Sequence, residues 1–239
     1  NVIAIGNGAA SQNKQNNTIA LGFSTAVSAP GSDYIAIGNE AAYLNTNGSN
    51  VIAIGNRAHY ISNGSNNIAL GFAALGNNTN GCCNTTIGYQ AGFTNQYARG
   101  IAIGSIAGYS LQGSGAIAIG ANAGQTCQQG NAIAIGKCTA TNNQQSLAIA
   151  IGKCAGKTCQ GCATVSIGFG AGNSNQATGG IAIGTYAALN NQHTQGIAIG
   201  QQAGYQSQSV NAVAVGLESG KCNQGGNAVA VGRRSGAVC

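Results

Sequence analysis

A repeat of sixteen residues runs through this chain from its first positions to its last. Each repeat carries a tetrapeptide that most often reads IAIG. Twelve of the fourteen intervals between successive IAIG glycines span sixteen positions, and the other two span seventeen. A fixed period of this kind is typical of proteins that stack one small structural unit on the next. The repeat glycines are Gly6, Gly22, Gly38, Gly55, Gly71, Gly88, Gly104, Gly120, Gly136, Gly152, Gly168, Gly184, Gly200, Gly216 and Gly232.

The residues before each repeat glycine alternate in size as those of a β-strand do. Ile101 and Ile103 would lie on one side of such a strand and Ala102 on the other. A sixteen-residue unit is too short for a strand and a helix, so each repeat is predicted to be one coil of a β-solenoid. The sequence therefore predicts an all-β, parallel β-solenoid of fifteen coils, forming a single domain over residues 1–239.

The alanine in the middle of each strand suggests an interface. If the flanking isoleucines fill the inside of the coil, these alanines face outward and form a long apolar stripe, which usually marks a contact surface. We expect the chain to form a homo-oligomer through this stripe, most simply a dimer or trimer. The alternative is that alanine only fills a tolerant surface. The alanines are Ala4, Ala20, Ala36, Ala53, Ala69, Ala102, Ala118, Ala134, Ala150, Ala182, Ala198, Ala214 and Ala230.

A glutamine recurs eight residues after the repeat glycine in most of the later coils. Stacked amides can hydrogen-bond from one coil to the next, so these residues predict an amide ladder. The residue before each glutamine is often Asn but is also Leu111, Cys127 or Cys159, which predicts that it faces inward and that the glutamines face solvent or a partner. The ladder comprises Gln96, Gln112, Gln128, Gln144, Gln160, Gln176, Gln192, Gln208 and Gln224.

The segments 131–136 (NAIAIG) and 211–216 (NAVAVG), each followed by a small residue three positions later, carry a family resemblance. They resemble the head repeats of trimeric autotransporter adhesins of the YadA type, and similar repeats in fibre proteins of phages and large DNA viruses. The resemblance implies a left-handed parallel β-roll that trimerises, projects from a cell or virion surface and binds a host receptor, matrix component or glycan. The chain departs from the bacterial pattern in its longer period and its 9 cysteines.

The array is predicted to have no cap at either end, because both ends of the sequence lie inside a repeat. An uncapped solenoid presents unpaired strand edges. The chain is therefore expected either to be a segment of a longer protein or to stack end to end into filaments.

Cysteines supply the main candidate covalent chemistry. Cys138 and Cys154 occupy the same position in neighbouring coils, about 4.8 Å apart, and form a candidate disulfide. The odd total leaves Cys239 as a candidate for an interchain bond, and cysteines at this density favour an extracellular setting. The alternative is that several are small buried core residues. Cys159 and Cys162 form a C-x-x-C without further ligands, so no metal or cofactor is predicted.

The charges exclude several functional classes. Only 12 side chains are charged, with a net charge of +6 and no dense basic patch, so no nucleic-acid partner is predicted. Every apolar run is far shorter than a membrane-spanning segment, so membrane insertion is not predicted. His59 and His193 are far apart, and the three acids do not converge on either, so no catalytic residues and no enzyme activity are predicted.

Two surface features could contribute to binding. Sequons at Asn16, Asn47, Asn63, Asn77 and Asn84 are candidate glycosylation sites on a eukaryotic secretory route. Aromatic residues recur just after the corners of the coils, where they are expected to pack between neighbouring coils or subunits rather than to contact a receptor.

These features together predict a non-enzymatic structural fibre or adhesin rod on a cell or virion surface. One rival is an ice-binding solenoid, although the predicted outward stripes are Ala and Gln rather than Thr. The other is a bacterial adhesin head that binds host matrix.

Overall fold

The computed structural model of the chain describes residues 1–12, 17–28, 31–45, 48–78 and 81–237. These ranges contain β-strands and turns but no helix, and therefore no helix that could cross a membrane. The chain divides into two compact units, Asn1–Ala121 and Asn122–Cys239. Parallel strands stack coil upon coil in both units, so the predicted all-β parallel solenoid fold is confirmed. The single domain over residues 1–239 stays a prediction.

In the first unit, the IAIG segments form one parallel sheet, here called the IAIG sheet of that unit. Its strands are in register: Ile52 lies opposite Ile68, and Ala53 lies opposite Ala69. A second side of the coils carries the short strands Ile61–Ser62, Asn77–Asn78 and Ser110–Gln112. The strands of the IAIG sheet are Val2–Ile5, Thr18–Leu21, Tyr34–Ile37, Val51–Ile54, Ile68–Leu70, Thr85–Ile87, Ile101–Ile103 and Ile117–Ile119.

The second unit repeats this plan more regularly. Its IAIG sheet contains Ile133–Ile135, Ile149–Ile151, Val165–Ile167, Ile181–Ile183, Ile197–Ile199, Val213–Val215 and Val229–Val231. A second parallel sheet, here called the glutamine sheet, contains Thr126–Gln128, Asn142–Gln144, Thr158–Gln160, Ser174–Gln176, Asn190–Gln192 and Gln206–Gln208.

The close stacking of the coils depends on the repeat glycines. Gly152 has φ +124°, a region that side chains rarely adopt. A Cβ atom added there would lie 2.6 Å from the carbonyl oxygen of Gly168 in the next coil. Any larger residue would therefore push the two coils apart.

The alanines in the middle of the IAIG strands face inward, so the prediction of an outward alanine stripe is wrong. Ala134 and Ala150 are fully buried, and only Ala4, in the first strand, is exposed. The physical reason is space: a coil of sixteen residues has room inside for small side chains and one long one, but not for two isoleucines. The buried alanines are Ala20, Ala36, Ala53, Ala69, Ala102, Ala118, Ala134, Ala150, Ala182, Ala198, Ala214 and Ala230.

The long side chain inside the coil is the glutamine, so the prediction that the glutamines face solvent is also wrong. Eight of the nine are at most 1 % exposed and the ninth, Gln224, is 6 % exposed. An amide can occupy this interior because it satisfies its own hydrogen bonds and those of nearby carbonyl groups. The nine are Gln96, Gln112, Gln128, Gln144, Gln160, Gln176, Gln192, Gln208 and Gln224.

In the second unit, each glutamine amide from Gln128 to Gln208 donates to the amide of the next coil, with donor–acceptor distances of 2.9 to 3.4 Å. Gln144 is representative. Its Nε2 lies 2.8 Å from the carbonyl oxygen of Ile133, 3.1 Å from that of Ala148 and 2.9 Å from Oε1 of Gln160. The column therefore joins the two sides of one coil and also joins each coil to the next.

In the first unit, Gln112 contacts the same two carbonyl positions that Gln144 contacts in the second. Gln112 donates to the carbonyl oxygens of Ile101 and Ala116. Gln96 is buried, and neither polar atom of its side chain has a hydrogen-bond partner among the described residues.

The residue before each glutamine does not face inward as predicted. Cys159 and Asn143 are exposed, and Leu111 is 41 % exposed. What these positions share is a left-handed backbone, with φ 53° at Cys159, 54° at Asn143 and 58° at Leu111. Asn is common there because it tolerates that conformation better than most residues.

Replacing Gln144 by Leu tests the amide column. The variant leaves the carbonyl groups of Ile133 and Ala148 without their amide donor inside the coil, so we expect it to lower the free energy of unfolding by about 3 kcal/mol. Asn142→Leu is the matched control, because Asn142 lies on the same strand but is exposed. Urea denaturation of the two variants and the wild type gives the comparison, and an equal loss in both variants would contradict it.

Candidate functional site

The isoleucine, valine and leucine side chains on either side of the buried alanines form the outer surface of each IAIG sheet. We call the set in each unit its isoleucine face. Ile151, Ile167 and Ile199 are 37 to 38 % exposed, although the residues of the coils above and below cover their flanks. Side chains stacked about 4.8 Å apart shield one another laterally, so this exposure means that the outer side is open.

The isoleucine face is apolar throughout the second unit and, apart from one position, throughout the first. Its positions hold no charged residue, and Thr85 is its one polar residue. In the first unit it comprises Ile3, Ile5, Ile19, Leu21, Ile35, Ile37, Ile52, Ile54, Ile68, Leu70, Thr85, Ile87, Ile101, Ile103, Ile117 and Ile119. In the second unit it comprises Ile133, Ile135, Ile149, Ile151, Val165, Ile167, Ile181, Ile183, Ile197, Ile199, Val213, Val215, Val229 and Val231.

Two continuous columns of branched apolar side chains are unusual on a water-exposed sheet, because alternating polar residues normally cover the solvent side. Contiguous exposed apolar surface of this kind is typical of a protein contact site. The alanines therefore cannot form the predicted contact stripe, and self-association itself stays a prediction. The apolar stripe that faces outward is isoleucine rather than alanine.

The predicted disulfide between Cys138 and Cys154 is not formed, and both are free thiols. In-register parallel stacking keeps equivalent Cβ atoms about 4.8 Å apart, beyond the separation of about 3.8 Å that a disulfide prefers. The other free cysteines among the described residues are Cys82, Cys83, Cys127, Cys159 and Cys162. Cys239, the candidate for an interchain bond, lies outside the described residues.

The remaining described cysteine, Cys222, is disulfide-bonded. A hydrogen bond with Cys83 and burial raise the pKa of the Cys82 thiol, which lowers the fraction of reactive thiolate. Within the described ranges, no group of three or more His, Cys, Asp or Glu side chains lies close enough to hold a metal ion. Cys159 and Cys162 therefore have no further metal-binding side chains beside them in the described part of the chain.

The candidate glycosylation sites differ in accessibility. Asn77 is exposed and Asn63 is half-buried. Asn84 is 1 % exposed, and its side-chain oxygen accepts a hydrogen bond from the backbone N–H of Gly100, so its prediction as a glycan acceptor is wrong. Asn16 and Asn47 lie outside the described residues.

The aromatic residues after the corners stack between successive coils. Tyr43 and Tyr60 lie with ring centroids 5.4 Å apart and nearly parallel planes. Phe72 with Tyr89, and Phe93 with Tyr109, repeat this arrangement at 5.3 and 5.4 Å. The expectation that these rings pack between neighbouring coils therefore holds for all three pairs, whereas packing between subunits stays a prediction.

Of the two histidines, His59 is fully buried and His193 is exposed. His59 occupies a position where most coils have Ala or Gly, in a coil whose inward polar residue is the short Ser62. The larger ring thus takes the space that a glutamine fills elsewhere. Its two ring nitrogens lie 3.5 Å from Nδ2 of Asn45 and 3.2 Å from Nδ2 of Asn67. These contacts make His59 a structural residue.

Comparison of the chain with protein-family models, with curated proteins and with solved structures gave no match. Its function is therefore inferred from the geometry described above.

His59 makes the stability of the fold depend on pH. Burial lowers its pKa from the usual 6.5 to about 3. The unfolded chain therefore binds a proton at a higher pH than the folded one. The contribution of neutral His59 to the free energy of unfolding is complete above pH 6.5. It is lost as the pH falls towards 3, by an amount on the order of 4 kcal/mol.

His59→Leu is the variant that removes this dependence, since Leu75 fills the equivalent position of the next coil. Urea denaturation between pH 7 and pH 4 should show a steeper loss of stability in the wild type than in the variant. His193 is present in both the wild type and the variant, so any contribution it makes to the pH dependence cancels in the comparison. Parallel pH profiles would show that His59 does not carry the effect.

Proposed function

We propose that the chain is a non-enzymatic structural fibre or adhesin protein that assembles side by side with copies of itself through the isoleucine face. The observation that carries this proposal is the run of outward apolar side chains on the IAIG sheet of each unit, interrupted only by Thr85 in the first unit. Display on a cell or virion surface belongs to the same proposal and draws on the repeat's resemblance to adhesin heads and viral fibres.

The thin interior of the coils supports self-association. Inside the coils of the second unit, the core consists of alanines and other small residues with one glutamine, so each of these coils buries little apolar surface by itself. The larger apolar side chains lie on the outside instead. Covering these isoleucines against a second chain would stabilise the fold by about 25 cal/mol for each Å² of apolar surface removed from water.

A second copy of this chain is the partner that fits best. The side chains of the isoleucine face repeat once per coil. A second copy of the chain presents side chains with the same spacing, and none of them is charged. Columns with equal spacing can pack along their whole length, whereas an unrelated surface would match only locally. Closed symmetry among such copies would give a dimer or trimer.

The glutamine sheet gives little support to the ice-binding alternative. Its outward residues in successive coils are Thr126, Asn142, Thr158, Ser174 and Asn190, which differ in shape and hydrogen bonding. The alanine and glutamine columns, which the sequence predicts to be the outward stripes, are buried and present no face to ice.

The test is a double variant of the isoleucine face, Ile151→Lys with Ile199→Lys, in the full chain. Both side chains point outward, so the fold should survive while the added charges oppose association. We expect the wild type to be a multimer by light scattering and the double variant to dissociate, with a dissociation constant raised about a hundredfold or more.

The matched control is Asn142→Lys with Asn190→Lys. These residues are also three coils apart and carry the same charge change, but lie on the glutamine sheet. The control should assemble like the wild type. A wild type that stays monomeric at every concentration, or a control that dissociates as readily as the isoleucine variant, would refute assembly through this face.

A further inference from the structure

The column of aromatic rings in the first unit has a gap. Tyr43, Tyr60, Phe93 and Tyr109 all lie five residues after their repeat glycine, and so does Gly76. Gly76 stands in the coil between those of Tyr60 and Phe93. The column thus continues on both sides of one coil that contributes no ring.

The backbone keeps these three positions in register. Ile61, which follows Tyr60, is paired with Asn77, which follows Gly76. Asn77 is bridged in turn to Thr94, which follows Phe93. Because coils repeat about every 4.8 Å, the backbones at Tyr60 and Phe93 lie about 9.6 Å apart along the column, and the coil between them contributes no ring.

A cavity of about 350 Å³ lies at this gap. Its size falls within the range of small-molecule sites. The ring of Phe93 leans across Gly76, since a Cβ atom added at Gly76 would lie 2.8 Å from Cε2 of Phe93. The Phe93 ring thus partly takes the place of the missing side chain, and a ligand ring enters the column when Phe93 turns back over its own coil. The walls of the cavity include Arg57, Tyr60, Ile61, Phe72, Gly76 and Phe93.

The charge at the cavity is balanced. Arg57 lies 5.3 Å from the centre of the Tyr60 ring, and its Nε donates to Oε2 of Glu40 at 2.6 Å. A neutral ligand is therefore favoured over an anion, because the cation already has its partner. Asn77 and Gln90 border the same cavity and offer hydrogen bonds to a ring substituent.

We propose that this gap is a binding site for a small neutral molecule with a planar aromatic ring, which stacks between Tyr60 and Phe93 and completes the aromatic column. The stacked pairs already present show the spacing that such a ring would adopt, with centroids 5.3 to 5.4 Å apart. The site is independent of the proposed assembly, because its residues lie outside the isoleucine face.

Indole is a suitable probe because the chain has no tryptophan, so indole emission reports the ligand alone. Titrating the full chain into indole should give a saturable blue shift of the emission as the ring leaves water. Gly76→Tyr fills the gap with the chain's own ring and should weaken binding about tenfold or more. Gln125→Tyr, at the same repeat position of a different coil, should bind like the wild type.

Phe93→Leu provides a second variant if Gly76→Tyr does not fold, since it removes one stacking ring and keeps an apolar side chain. It should also weaken binding. No saturable shift with the wild type, or equal affinity in the gap variants and the control, would overturn the proposal. Binding of N-acetyltryptophanamide without binding of indole would also overturn it, and would assign the gap to an aromatic side chain of a peptide.

Discussion

In-register hydrogen bonding between successive coils is the constraint on which the rest of this structure depends. The pairing of Ile149 with Val165 and of Ala150 with Ser166 places like positions over one another. Every side-chain column in the molecule follows from that registration. The alanines pack on alanines, the aromatic rings stack and the amides of the second unit bond in a chain. Ser166 illustrates how closely the columns are coupled, because its hydroxyl donates to Gln176 at 2.6 Å where other coils have an alanine.

The fold could be predicted from the sequence, whereas the direction of its faces could not. The sixteen-residue interval and the alternation around Ala102 are enough to predict a parallel solenoid. Alternation alone does not say which set of side chains is inside. The usual rule that large apolar residues form a core would place Ile101 and Ile103 inside the coil. A coil this small reverses the rule, since a buried glutamine leaves space only for alanine.

The sequence did carry signals of the true orientation. The alanine column changes only to Thr86 and Ser166, both small, whereas the flanking positions vary among Ile, Val, Leu and Thr. The alanine column accepts only small side chains, and this stricter size limit indicates that it lies in the interior. The frequent Asn before the glutamine reflects a left-handed backbone rather than burial, as Asn143 shows. The cavity beside Gly76 depends on where the ring of Phe93 lies, which no sequence pattern specifies.

The most direct test of this account is hydrogen exchange of the glutamine side-chain amides, followed by NMR on the full chain. The account predicts that the amide protons of Gln144, Gln160 and Gln192 exchange slowly, because they are buried and bonded within the column. Those of the exposed Gln129, Gln195 and Gln201 should exchange rapidly. Rapid exchange of all glutamine amides alike would mean that the amides are not inside the coils, and would contradict the inward glutamines and the outward isoleucine face together.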